Sequence, residues 1–290
     1  MRQAFVDLTT RRLVESPRLA LVLADIGEAR FQEALAACPE RVFNVGIREA
    51  LAVGAAAGLA LEGYQPLVHT YAPFLVERAF EQIKLDLVHQ DVSAVLVSIG
   101  AAYDASVEGR THQCPADVAL MASLGLHVEV PGHPKEVEAS MDRAIRSGRA
   151  AYVRLSEQSN LEPLPAPLTV VRRGQRGTVL VLGPLLDPTL RAARALDLGV
   201  VYSPTAYPLP EDLPAALGLG PLAVVEPALE GSSLPALAER LGPRAILAVG
   251  VGRRELRRYG TPAQHAAAHG LDARGLHARL SGLRDSEGQA

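Results

Sequence analysis

One carboxylate, Glu49, stands in the first turn of a stretch that from Ile47 to Glu62 is otherwise almost wholly Ala, Leu, Val and Gly. Two roles suit it. At a helix N-terminus a carboxylate complements the positive end of the backbone dipole; buried among apolar residues, it can instead share a proton with a ligand nitrogen. Spacing alone leaves both open. Downstream, Tyr71 and Phe74 form a Tyr-x-x-Phe pair able to hold a flat ring by stacking, although an aromatic at a helix start is equally at home in a core. His69, between apolar residues just before that pair, either reaches the same cavity or is a hydrogen-bonded core histidine. A loop of about a dozen residues then gathers Tyr103, Asp104, Glu108, Arg110, Thr111 and His112. Loops of that length at the carboxyl end of a strand often carry function. A histidine there can donate hydrogen bonds or move protons, where an isolated loop histidine is only solvated.

These residues need elements to position them. Leu19 to Ala24 is a continuous apolar run closed by Asp25-Ile26-Gly27, the pattern of a central parallel strand delivering a loop at its carboxyl end. Val42–Val45, Gln65–Tyr71, Ala94–Ile99, His127–Val130 and Ala151–Leu155 read as further strands. Between them fall helices over 28–37, 47–62, 73–89, 117–124 and 134–147, preceded by one from Phe5 to Ser16. Strands alternating with helices predict a doubly wound α/β domain over 1–160. Three prolines within Glu162-Pro-Leu-Pro-Ala-Pro-Leu make an extended connection, so 161–170 is the expected linker. Beyond it, apolar strands at 178–182, 200–202, 222–225 and 245–249, with helices at 187–197 and 232–241, predict a second, smaller α/β domain over 171–290. The end from Ser281 onward is polar and reads as frayed.

A length of 290 residues suits two domains, each with its own core. The net charge of -3, with both signs interspersed, provides no basic field for nucleic acid. No apolar run approaches the roughly 18 residues that span a bilayer, and the first residues hold no apolar signal core, so a soluble, cytoplasmic protein without membrane partners is expected. Cys38 and Cys114 have no metal-ligand spacing around them, and Cys114 has no evident activating partner.

Gly46-Ile-x-Glu49, the Ala/Gly-rich helix after it, Gly63-Tyr-x-Pro66 and Tyr71-x-x-Phe74 together resemble the pyrimidine-binding domain of the transketolase group of thiamine diphosphate enzymes. Glu108-Gly-Arg-Thr-His-Gln113 resembles that group's Asp-Gly-x-Thr-His-Gln. The second half is similar, more loosely, to the transketolase C-terminal domain, including Glu226 before a Gly-containing turn and Tyr259-Gly260-Thr261 before a late helix. The resemblance implies that Glu49 hydrogen-bonds the cofactor's pyrimidine and lets its own amino group act as base, that Phe74 and Tyr71 line the ring's pocket, and that His112 faces the substrate. His69, Glu108, Arg110 and Arg154 are further candidates for substrate contact.

The family anchors the diphosphate through Mg2+ on a Gly-Asp-Gly motif, and this chain contains no such motif. The resemblance therefore implies the C-terminal subunit of a split transketolase. Its partner would be an N-terminal subunit carrying Gly-Asp-Gly and Mg2+, two copies of each forming a heterotetramer, with the helix at Gly54 and Gly58 near the pairing interface. Where many transketolases grip sugar phosphate with an arginine in Ser-Arg-Gln, this chain has Ser156-Glu157-Gln158. Sugar and sugar phosphate substrates thus both stay open. A 1-deoxyxylulose-5-phosphate synthase-like enzyme, the beta subunit of a 2-oxo acid decarboxylase component, and a non-catalytic scaffold are the alternatives.

Overall fold

The structure is a computed structural model and describes residues 1–164 and 166–283. Its strands are β1 (Leu19–Leu23), β2 (Val42–Asn44), β3 (Gln65–Tyr71), β4 (Val95–Ile99), β5 (His127–Glu129), β6 (Ala151–Arg154), β7 (Thr169–Arg172), β8 (Thr178–Leu182), β9 (Gly199–Ser203), β10 (Thr205–Tyr207), β11 (Leu222–Leu229) and β12 (Ile246–Val251). They form two sheets, ordered β10-β5-β6-β4-β3-β1-β2 and β12-β11-β8-β9-β7. Within each, neighbouring strands run parallel except at one edge, where β10 and β7 are antiparallel. Both sheets carry helices on their faces, so the architecture is two doubly wound α/β layers. The apolar runs explain this: β1, β4, β6 and β9 are buried along their whole length, as strands covered on both faces must be.

The chain departs from sequence expectation at several places. First, 73–89 is not a plain amphipathic α-helix. A π-helical turn Pro73–Arg78 and a second one, Ile83–His89, flank a single α-helical turn, Phe80–Gln82. Secondly, β7 begins inside the stretch expected to be linker. Thirdly, β10 leaves the second half and pairs with β5, lengthening the first sheet. The expected helix 28–37 is a 3-10 turn, Glu28–Arg30, and a helix Gln32–Ala37, while 134–147 opens with a 3-10 turn, Pro134–Glu136. Of the polar end, 284–290 lie outside the described residues, and Leu283 packs against the second sheet's core.

The two halves share polar contacts as well as a strand. Tyr202 Oη donates to Glu136 Oε2 at 2.5 Å, and Asn160 bridges Gly183 O and the Leu186 amide. Among the described residues no helix is long and apolar enough to cross a membrane.

Candidate active site

Glu49 is the first residue of helix Glu49–Leu61, which follows β2 through the positive-φ turn at Gly46. Asn44 ties this corner together. Its Oδ1 accepts from the amides of Asp25 and Gly46, and its Nδ2 donates to Glu28. The helix start lowers Glu49 into the protein, where its side chain is 1% exposed. Arg78 Nη1 donates to Oε2 at 2.8 Å, whereas Oε1 is buried with no hydrogen-bond partner. A buried carboxylate oxygen left without a donor is costly unless a ligand supplies one. Of the two roles open to Glu49, burial with an unmatched acceptor favours the ligand-facing one.

Phe74 lies in the first π-helical turn after β3, with the Arg78 guanidinium 4.3 Å above its ring centroid. His112, from the 3-10 turn Arg110–His112, packs edge-on to Phe74 at 5.1 Å and to Tyr71 at 5.7 Å between centroids. Tyr71 and Phe74 are themselves 6.2 Å apart. Glu49, Tyr71, Phe74 and His112, separated by as many as 63 residues in sequence, are thereby joined in one cluster through Arg78. Thr111 Oγ1 lies 3.0 Å from His112 Nδ1, which leaves Nε2 as the ring nitrogen open to a ligand. Glycine positions two of these parts. A Cβ at Gly100 would overlap the Tyr71 ring, and one at Gly109 would overlap Tyr259; both glycines have positive φ. The loop is further held by Ser106 Oγ donating to Gly260 O at 2.7 Å. The Tyr259-Gly260 pair of the second half thus braces the loop that carries His112.

The remaining sequence candidates lie elsewhere. His69 is wholly buried on β3 between Phe5 and Phe31, with Nδ1 2.9 Å from Val97 O. Burial holds its pKa down at about 4, so it is a neutral core residue. Arg154 is 1% exposed and committed to structure: Nε donates to Asp117 Oδ2 at 2.7 Å and Nη2 to Pro227 O at 3.0 Å. Neither side chain is placed to receive a substrate. Glu108 is exposed at the loop's outer turn. Arg110, also exposed, donates to Gln113 O and borders a cleft of about 250 Å³ with Arg253 and Arg254. Cys114 is fully buried and its thiol pKa is pushed far up by that burial, the reverse of a nucleophile's setting. Glu226 accepts from the Gly231 and Ser233 amides and the Ser233 hydroxyl, shaping the turn after β11; burial raises its pKa to about 7.

Two residues escaped the sequence reading. Arg78 was legible only as four residues after Phe74, a spacing that puts two side chains on one helix face. Asp104 has no residue type or spacing beside it in its loop that assigns it a role by sequence. It borders a recess of about 300 Å³ with Tyr71, Arg2, Arg30, Gly100 and Glu157. Burial raises its pKa to about 6, against the Glu157 amide that donates to Oδ2. Among the described residues no group of three or more His, Cys, Asp or Glu is arranged to hold a metal ion.

Comparison with known proteins bears on the family and the fold. Residues 1–161 match the model of the transketolase pyrimidine-binding domain. The chain is 42% identical over 288 residues to a 33.6 kDa protein in the fasciation locus of Rhodococcoides fascians, covering 95% of this chain and 92% of that protein. It is 34% identical over 260 residues to the 1-deoxy-D-xylulose-5-phosphate synthase of Acidovorax ebreus (strain TPSY), covering 84% of this chain and 41% of the synthase. The chain therefore spans about two-fifths of the length of the curated synthases it matches. A split gene transketolase solved as an inactive beta4 tetramer aligns over 97% of both chains, with a TM-score of 0.82 and 26% identity. The transketolase of Campylobacter jejuni aligns with a TM-score of 0.80 over 97% of this chain and 46% of its own; at 15% identity it bears on the fold alone. By the extent of the domain match, which takes in more than half of its residues, the chain belongs to the transketolase pyrimidine-binding family of thiamine diphosphate-dependent enzymes.

Proposed function

We propose that this chain is the C-terminal subunit of a split transketolase, transferring a two-carbon ketol unit between sugars together with a separate subunit that binds diphosphate and Mg2+. The observation that carries the reading is the unmatched Oε1 of buried Glu49 beside the aromatic cluster of Tyr71, Phe74 and His112. An aminopyrimidine fits that arrangement, a flat ring for Phe74 with a nitrogen for the carboxylate. Thiamine diphosphate, when bound, would supply an acidic thiazolium carbon, with Glu49, Tyr71 and Phe74 holding its aminopyrimidine end. Glu49 would hold the pyrimidine nitrogen and share a proton with it once a partner subunit closes the site. Phe74 and Tyr71 fix the ring's plane. His112 presents Nε2 to the substrate's oxygen atoms and moves or donates a proton there.

Two observations support a partner in this reading. Gly-Asp-Gly is absent from the sequence. Ile47, two residues before the helix that carries Glu49, and Leu51, in its first turn, are 67% and 49% exposed, and Leu61 at its end is 62% exposed. Nothing lies within 4 Å of a Cβ placed on Gly58. An apolar, small-residue helix face beside an incomplete site suits a subunit seam, and a heterotetramer of two copies of each chain would close it.

The test is Glu49→Gln assayed with the partner, thiamine diphosphate and Mg2+ present. A loss of at least about a hundredfold in turnover is expected, the range set by positioned acid–base groups; full activity ends the catalytic assignment. The likeness to 1-deoxy-D-xylulose-5-phosphate synthases supports a second reading, condensation of decarboxylated pyruvate with an aldose phosphate. Donor choice separates the two: ketose cleavage without carbon dioxide release supports transketolase, and carbon dioxide release from pyruvate supports the synthase type.

A further inference from the structure

We propose that Arg78 stands in the cofactor's place in the free chain, its guanidinium occupying the position on Phe74 and Glu49 that the aminopyrimidine must take, so that Arg78 has to withdraw before the cofactor binds. This rests on the cofactor reading above. Two independent contacts converge on one side chain: the guanidinium lies 4.3 Å over the Phe74 ring centroid, and its Nη1 donates to Glu49 Oε2 at 2.8 Å. A flat, delocalised group that stacks on an aromatic face while offering N–H to a carboxylate is what an aminopyrimidine presents, and guanidinium meets both demands through cation–π and charge-assisted hydrogen bonding. The guanidinium takes up the space that joins the Phe74 ring to the Glu49 carboxylate, since it touches both. Two flat groups cannot share it.

The occupant is held incompletely and has a way out. Arg78 satisfies one carboxylate oxygen and leaves Oε1 without a donor. Its side chain is 49% exposed, against 1% for Glu49, so solvent is open to it if displaced. It also ends the π-helical turn Pro73–Arg78, and Ala79 immediately after it departs from helical geometry with φ -103 and ψ 17. π-helical turns interrupt regular α-helical packing and recur at functional sites. A latch of this kind lowers apparent affinity by the fraction of molecules that are open.

The experiment titrates the full-length chain with 4-amino-5-hydroxymethyl-2-methylpyrimidine, the aminopyrimidine half of the cofactor, which requires neither metal nor partner. Binding is followed by ligand-observed NMR, and a thermal melt checks each variant's fold. Arg78→Met removes both contacts, and Arg78→Gln removes the cation while keeping a polar group. Each is expected to bind the pyrimidine about tenfold more tightly than the unaltered chain, with Met the tighter of the two. Equal or weaker binding by the folded Arg78 variants overturns the latch, as does an absence of saturable binding throughout. Glu49→Gln separates this failure from that of the cofactor reading. If Glu49→Gln weakens binding while the Arg78 variants do not strengthen it, the latch alone is wrong; if Glu49→Gln changes nothing, both fall.

Discussion

His69 and Glu49 are both buried polar residues near the carboxyl ends of strands, and their surroundings give them opposite tasks. Glu49 meets a cation and keeps one oxygen unmatched. His69 meets two phenyl rings and a carbonyl, which keep it neutral, with a pKa near 4 chiefly through burial. The unfolded chain binds a proton at this histidine below about pH 6.5 that the folded chain refuses until about pH 4. His69 therefore supports the fold fully above pH 6.5 and withdraws that support as pH falls toward 4, by about 3 kcal/mol across the window. Asp104 acts in the reverse sense: with its pKa raised to about 6, it costs stability as pH rises through the same range. The sum of the two flattens the overall profile, so the informative quantity is a difference. Urea unfolding of the unaltered chain and of His69→Leu at pH 7 and pH 4.5 should show the stability gap between them shift by about 2 kcal/mol or more in favour of the variant at the lower pH. Parallel profiles would remove the burial argument. At this scale Glu49, Tyr71, Phe74 and His112 were legible because each sits in a short motif whose residue types suit one ligand. Burial decides for Arg154 and His69, both candidates for substrate contact by sequence, because sequence shows nearness to a motif but not which way a strand residue points. Arg78 was hidden because its meaning is a contact, not a residue type.

Elements were more legible than residues where they obeyed one periodicity. The continuous apolar runs place β1, β4, β6 and β8 to within a residue at each end, since a strand covered on both faces has no polar position to blur its ends. The run 73–89 carries an amphipathic pattern that an α-helix also satisfies, so the π-helical turns were invisible in composition. β10 is three residues long between Pro204 and Pro208, and β7 directly follows a proline-rich stretch; both look like loop because proline weakens a strand signal. The loop bearing His112 illustrates how elements far apart in sequence cooperate. It is irregular in itself, and its shape depends on Ser106 bonding to Gly260 and on the Tyr259 ring lying over Gly109. Tyr259 is 71% exposed, so its removal creates no core cavity. Tyr259→Ala should therefore raise hydrogen–deuterium exchange over 106–113 while moving global stability by less than about 0.5 kcal/mol. Unchanged exchange in that loop would show that Tyr259 is a bystander.

For the whole molecule, sequence reading expected two domains joined by a proline-rich tether, and the structure shows halves that interlock. β10 crosses to the first sheet, Thr205 Oγ1 donates to buried Glu129, and Tyr202 donates to Glu136. Arg154 is the deepest of these ties. Its Nε meets Asp117, which also accepts from the Tyr152 hydroxyl, and its Nη2 reaches across to Pro227 O on β11. Such a pair adds little beyond what well-packed apolar residues would provide, yet breaking it from one side is expensive, because the remaining carboxylate stays buried with its charge uncompensated. Arg154→Met should thus destabilise the protein by about 3 to 5 kcal/mol, far more than the loss of an exposed anion-binding arginine would. Because the side chain bridges both halves, that loss should appear as a downward shift of one cooperative unfolding transition, followed by calorimetry. A variant in which the halves melt separately would show that the interlock is weaker than its contacts suggest. A variant of native stability with only a raised KM for anionic substrate would return Arg154 to the substrate-binding role that its burial argues against.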